Sequence, residues 1–204
     1  LIARRGGNAI SNRENKKNLP GLILPDNITF TSDLEAAVRG RSVIVMVTPS
    51  AVVGDTARKM RPYVESGAAI VCASKGFDSE TQKTLTQTIE DHIPNALVAA
   101  LSGPSHAEEV AKQKPTTLVA ASRNLTAAKM LQDLFMTDYL RVYTSSDVLG
   151  VELGGALKNV IALCAGISDG LGLGDNAKAA LMTRGMTEIA RLGTALGASL
   201  STFS

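Results

Sequence analysis

The sequence predicts an α/β fold: a parallel sheet interleaved with helices, followed by an all-α segment. Three observations carry this. Apolar, β-branched runs of strand length alternate with helix-length segments through about the first 145 residues. No convincing strand occurs after residue 146. The strand-like runs are apolar throughout rather than alternating, as strands covered on both faces are.

Taken in order, the first strong strand is 42–48, Ser-Val-Ile-Val-Met-Val-Thr. A helix is expected over 51–65, a strand over 68–73, a polar helix over 79–92 and a strand over 96–101. The rhythm continues with a strand at 116–121, a helix at 125–135 and a short strand at 140–143. Helices are then expected over 147–169 and 177–196, joined by the glycine-rich loop 170–175. The closing stretch 195–204 supplies no third helix, so the apolar faces of these two call for cover from an oligomer partner or from further chain.

Composition narrows the function classes. The 204 residues include 21 basic and 19 acidic side chains, a net charge of +2 without a concentrated basic face, which argues against nucleic acid as a partner. Cys72 and Cys164 stand far apart and allow at most one bridge, which suits a reducing, cytoplasmic setting. With two histidines, His92 and His106, distant from both cysteines, no metal site is expected. No membrane span is expected either, the longest apolar run, 160–167, being bounded by Lys158 and Asp169. The first residues, Leu1-Ile2-Ala3-Arg4-Arg5, show neither an initiator Met nor a signal peptide.

Several motifs fall where strands end, the edge at which open α/β sheets bind ligands. Arg4 and Arg5 suit a 2′-phosphate, or else a solvated turn. Thr48-Pro49-Ser50 closes the strongest strand, with Ser50 a candidate cap for the next helix, and Ser74-Lys75-Gly76 brings a cation to the same edge. Ser105 and Glu108 have capping-box spacing behind Gly103-Pro104, so the helix start there is a candidate anion site. In Gly154-Gly155-Ala156-Leu157-Lys158-Asn159, two glycines permit close packing on the sheet and one lysine interrupts an apolar helix. Burial would lower the pKa of Lys158 and make it a general acid/base; the alternatives are a snorkelling lysine or one paired with Glu152.

In this order the segments resemble the bacterial-type NAD(P)-dependent glycerol-3-phosphate dehydrogenases. The resemblance runs through Leu19-Pro20-Gly21, Val47-Thr48-Pro49-Ser50, Ser74-Lys75-Gly76, Ser102-Gly103-Pro104-Ser105, Arg141-Val142-Tyr143, the stretch 150–160 around Lys158, and Gly174-Asp175-Asn176-Ala177-Lys178. It implies a Rossmann-like dinucleotide-binding domain over 1–145 and the start of an α-helical substrate domain over 146–204, with the active site between them. It further implies reduction of dihydroxyacetone phosphate to sn-glycerol 3-phosphate by NADPH or NADH, in supply of phospholipid synthesis. The matched positions make Lys158 the catalytic proton donor or acceptor. They assign Lys75, Gly103, Ser105, Lys158 and Asn159 to substrate, and Arg4, Pro49, Lys75 and Ala107 to cofactor. The family's glycine-rich turn and its phosphate-binding arginine have no match here, so a fragment lacking both ends is expected. Another two-domain dehydrogenase, of the 2-hydroxyacid or ketopantoate type, and a non-catalytic binding or dimerisation fragment stay open as alternatives.

Overall fold

A computed structural model describes residues 13–203. Arg4 and Arg5, expected to follow a strand end, lie outside the described residues. Five strands form one sheet in sequence order. They are β1 (Val43–Met46), β2 (Ala69–Cys72), β3 (Leu97–Ser102), β4 (Thr116–Ala121) and β5 (Leu140–Ser145). The helices are α1 (Leu34–Val38), α2 (Val53–Met60), α3 (Leu85–His92), α4 (Ala107–Ala111), α5 (Leu125–Phe135), α6 (Val148–Gly170) and α7 (Gly174–Ala195).

The period of two sorts the strand residues onto two cores. Ile70, Cys72 and Val98 face a cluster built from Val53, Ala57, Met60, Leu85 and Ile89 of α2 and α3. Val71 and Ala99 face the opposite cluster, with Leu131 of α5, Leu118 and Val142. Both faces of the central strands are therefore covered, as the unbroken apolar runs require. At β1 this holds for one face only: Met46 is buried, but Val45 is 44% exposed, because α5 spans the other end of the sheet.

Three of the four strand pairings are parallel; β3 with β4 is antiparallel, with Ser102 opposite Val119. The expectation of a uniformly parallel sheet is thus corrected at one step. A parallel return needs a crossover long enough to traverse the sheet, and the β3–β4 connection holds only the five-residue α4. The eleven-residue α5 makes the next crossover, and β5 returns parallel to β4.

Two boundaries also move, and one expected cap does not form. The polar helix expected from residue 79 begins at Leu85, after a turn in which Asp78 accepts from the backbone of Glu80 and Thr81. The loop expected over 170–175 is shorter, because α7 starts at Gly174 and places Asp175 in its first turn, where the helix dipole favours a carboxylate. Neither Ser50 nor any other side chain caps α2.

After Ser145 the described chain holds two long helices and a closing 3-10 turn, Leu200–Phe203. Asp147 caps α6, and the amino-terminal half of that helix packs Val148 and Val151 against Ala100 and Ala121 of the sheet. By length and composition α6 could cross a membrane, but it carries Glu152, Lys158 and Asp169 and packs on β3, β4 and α7. Its amino-terminal half is thus part of the folded core. Its distal half leaves Val160, Leu163 and Ile167 exposed.

Candidate functional site

The site grows from the ends of the three parallel strands. Beyond β1 the Thr48 carbonyl accepts from the Ser74 hydroxyl, tying the first two strand ends together. Gly76, at φ +122, lies against Ser50, where a Cβ would come within 3.3 Å of the serine's own Cβ. Lys75 Nζ reaches the next strand end and donates to the Gly103 carbonyl at 2.9 Å. Gly103 is held at φ +152 so close to β4 that a Cβ would sit 2.5 Å from the Thr117 carbonyl oxygen. Only glycine fits this conformation and this gap.

Helix α6 lies over these ends. A Cβ on Gly155 would come within 2.5 Å of Ser102 Oγ, so the glycine lets the helix settle on the β3 terminus. Gly154 faces the Phe203 ring instead of the sheet. The result is a cleft of about 740 Å³ lined by Lys75, Gly103, Ser105, Lys158 and Asn159, with Tyr143 and Phe203 among its walls. Five of the expected site residues are thereby brought together. Pro49 and Ala107 lie outside the lining, at the end of β1 and the start of α4.

The electrostatics centre on the two lysines. Desolvation, and then the charge of Lys158, lower the pKa of Lys75. Both cations face one cleft, an arrangement that draws an anion. Among the described residues, no group of three His, Cys, Asp or Glu side chains gathers to hold a metal. Both cysteines are free thiols.

Three expectations are corrected here. Lys158 is exposed rather than buried, because α6 is covered by the sheet only along its first turns. Ser105 forms no capping box: its hydroxyl turns back to the Gly103 carbonyl at 3.4 Å, and His106 stands at the start of α4 with no side-chain cap. The first amides of this five-residue helix therefore have no side-chain acceptor. Glu152 is not a partner of Lys158, since its carboxylate accepts from the Thr86 backbone N–H at 2.9 Å and from the Thr86 hydroxyl at 2.5 Å.

Sequence reasoning missed other contributors. Asp147 accepts from the Ser199 backbone N–H and the Thr202 hydroxyl as well as from Gly150, which ties the Leu200–Phe203 turn to the start of α6 and makes it a wall of the cleft. No local pattern reports a contact across 52 residues. The capping box that does form joins Thr84 and Gln87 at α3, and its Thr-x-x-Gln spacing was readable.

Comparison with known proteins identifies the family. Residues 8–128 match the family model described as NAD-dependent glycerol-3-phosphate dehydrogenase N-terminus, and residues 147–204 match the corresponding C-terminus. The glycerol-3-phosphate dehydrogenase [NAD(P)+] of Agathobacter rectalis is 52% identical over 189 residues, covering 93% of this chain and 56% of that protein. The enzyme of the same name from Bacillus mycoides is 51% identical over 195 residues, covering 94% and 57%. The crystal structure of glycerol-3-phosphate dehydrogenase from Coxiella burnetii superimposes with a TM-score of 0.90 at 35% identity, over 95% of this chain and 59% of that one. The chain spans a little over half the length of the curated relatives it matches. With one family covering the sheet and the helices after it, the chain belongs to the NAD-dependent glycerol-3-phosphate dehydrogenases.

Proposed function

We propose that the natural protein reversibly reduces dihydroxyacetone phosphate to sn-glycerol 3-phosphate with NADPH or NADH, in the cytoplasm, in supply of phospholipid synthesis. The observation that carries this reading is the convergence of Lys75, from the end of β2, and Lys158, from α6, on one cleft beside Gly103. Two cations there suit a substrate with a phosphate and a polarisable carbonyl. The division into a dinucleotide domain over 1–145 and a helical substrate domain from 146 is supported by the end of β5 at Ser145. The exposed Val160, Leu163 and Ile167 of α6 call for cover, which a second copy in a homodimer or the remainder of the natural chain would supply.

The strand-end edge fits a nicotinamide cofactor. Thr48 Oγ1 is buried there without a partner, and Gly76 keeps the adjoining backbone free of a side chain. Pro49, Lys75 and Ala107 would contact the cofactor, with Arg4 near its ribose. When bound, the cofactor supplies the hydride. Lys158 donates a hydrogen bond to the substrate carbonyl oxygen, stabilises the growing negative charge and hands over its proton. Asn159 and Ser105 orient the substrate, and Lys75, held by the Gly103 carbonyl, adds positive charge opposite the substrate anion.

The test follows NADPH absorbance with dihydroxyacetone phosphate for the natural full-length protein and its Lys158→Ala variant. The parent should turn over, and the variant should lose about 10²–10⁴-fold in kcat while still binding NADPH. Dihydroxyacetone without phosphate should be a poor substrate, because it leaves a cationic site unpaired. A preference for an unphosphorylated 2-oxoacid or ketopantoate would move the assignment to those dehydrogenases. An inert parent that self-associates without binding nucleotide would favour a binding or dimerisation module.

A further inference from the structure

Glu152 is a half-buried carboxylate that the proposed reaction does not use. It stands on the segment of α6 packed against the nucleotide side of the fold, and both of its oxygens are taken by one residue of α3: the Thr86 backbone N–H at 2.9 Å and the Thr86 hydroxyl at 2.5 Å. The partner is well placed. Thr84 and Gln87 form a reciprocal capping box at the start of α3, and the Thr86 amide, also in that first turn, is satisfied from α6. A carboxylate at a helix start is favoured by the dipole.

The same side chain lies behind the strand ends. With Cys72, Ser74, Lys75, Gly76 and Ser102, Glu152 lines a small gap at the strand ends. Six residues further along α6 is Lys158. At about 1.5 Å and 100° per residue the two are about 9 Å apart along the axis and about 120° apart around it, so a bond at Glu152 fixes both the height and the rotation at which Lys158 leaves the helix. Burial pushes the Glu152 carboxyl up, with the Glu90 charge adding to it, and the two Thr86 donors, joined by the Thr84 hydroxyl, counter that in part. A polar group in such a setting is held tightly by its partner, because the unpaired alternative is costly.

We infer that Glu152 is a positioning residue. Its grip on Thr86 locks α6 to α3 and so sets Lys158 and Asn159 against the strand-end edge that carries Lys75. The inference rests on the proposed reaction.

The experiment compares Glu152→Ala, Glu152→Gln and Thr86→Val in the natural full-length protein, with Leu131→Ala as a control that lowers stability from a buried position away from the cleft. Glutamine can still accept from the Thr86 amide and meet its hydroxyl. Glu152→Ala should therefore lose about 30-fold or more in kcat with dihydroxyacetone phosphate, with NADPH affinity within about threefold, and Glu152→Gln should recover to within about threefold of the parent. Thr86→Val should fall between them. A folded Glu152→Ala that keeps its kcat overturns the inference. So does a Glu152→Gln as impaired as the alanine variant, or a Leu131→Ala that loses as much kcat at the same melting temperature. If Glu152→Ala does not fold, Thr86→Val decides: reduced kcat supports the inference, and unchanged kcat overturns it. Amide exchange over 148–162 gives a readout independent of the reaction. A parent inert with dihydroxyacetone phosphate sinks the proposed reaction, and the anchor is then judged by exchange alone: faster in Glu152→Ala or Thr86→Val supports it, unchanged overturns it.

Discussion

Asp147 shows how much one side chain can organise. It caps α6 through the Gly150 amide and accepts from Ser199 N at 2.9 Å and Thr202 Oγ1 at 2.6 Å. A Cβ on Gly150 would collide with this carboxylate, so the glycine is needed for the cap to close. Burial raises the Asp147 pKa, but the donors from Thr202, Gly150 and Ser199 outweigh it and leave it below 3.8. For a carboxyl depressed on folding, the stabilisation is complete well above pH 3.8 and is lost as pH falls through the lower, folded value. Asp147→Ala should cost about 1–3 kcal/mol in urea unfolding at neutral pH, and its deficit should shrink in acid. A constant deficit down to acid pH would contradict the assignment of the shift to these bonds. Lys158 shows what a residue-level reading can and cannot supply. Its interruption of an apolar helix marks it as unusual in the sequence alone, whereas its exposure depends on how far along α6 the sheet extends, which no local pattern encodes.

At the scale of elements, strands were the most legible feature. Five of the apolar runs read as strands are strands, because β-branched residues packed from both sides leave a signal in composition. Strand direction was less legible: the antiparallel β3–β4 step follows from the short span between them, which turns the chain before a crossover can form. Helix starts were the weakest point. Ser105-x-x-Glu108 and Thr84-x-x-Gln87 have equivalent spacing, yet only the second closes into a capping box. Gly103, pinned against β4, sets the chain direction into the first, and Ser105 bonds back to the Gly103 carbonyl instead of forward to a helix amide. The contrast is measurable. Thr84→Ala should cost about 1 kcal/mol in urea unfolding, and Ser105→Ala only a few tenths, about what a surface change costs. Equal costs would mean that the two helix starts are capped alike.

Across the whole molecule, the parts of the site legible in sequence were those carried on strand ends and on a single helix, Lys75, Gly103 and the Lys158-Asn159 pair. The parts not legible were bonds that join distant segments, such as Glu152 with Thr86 and Asp147 with Thr202. Such bonds need the fold before they exist. The same holds for the alkaline limit of stability, which belongs to the sheet centre. Cys72 closes β2, is 2% exposed, and has its thiol pushed up from 9.0 to about 12 by desolvation, with the Ser74 carbonyl lowering it a little and the Glu152 charge raising it further. Between pH 9.0 and about 12 the unfolded chain releases this proton while the folded chain keeps it. The unfolded state then binds fewer protons, so stability must fall as pH rises, by up to about 1.4 kcal/mol per pH unit. Lys75 acts in the opposite sense, since its lowered pKa relieves a folding penalty as pH climbs toward 10.5. Comparison with Cys72→Ala isolates the thiol, because Lys75 titrates in both proteins. The alanine variant should be less stable near neutral pH, where a packed side chain has been trimmed, yet its deficit should narrow by about 2 kcal/mol between roughly pH 8.5 and 10.5 in urea unfolding. Parallel stability curves would show that Cys72 ionises as readily in the folded sheet as in the open chain, and that the core around β2 admits water.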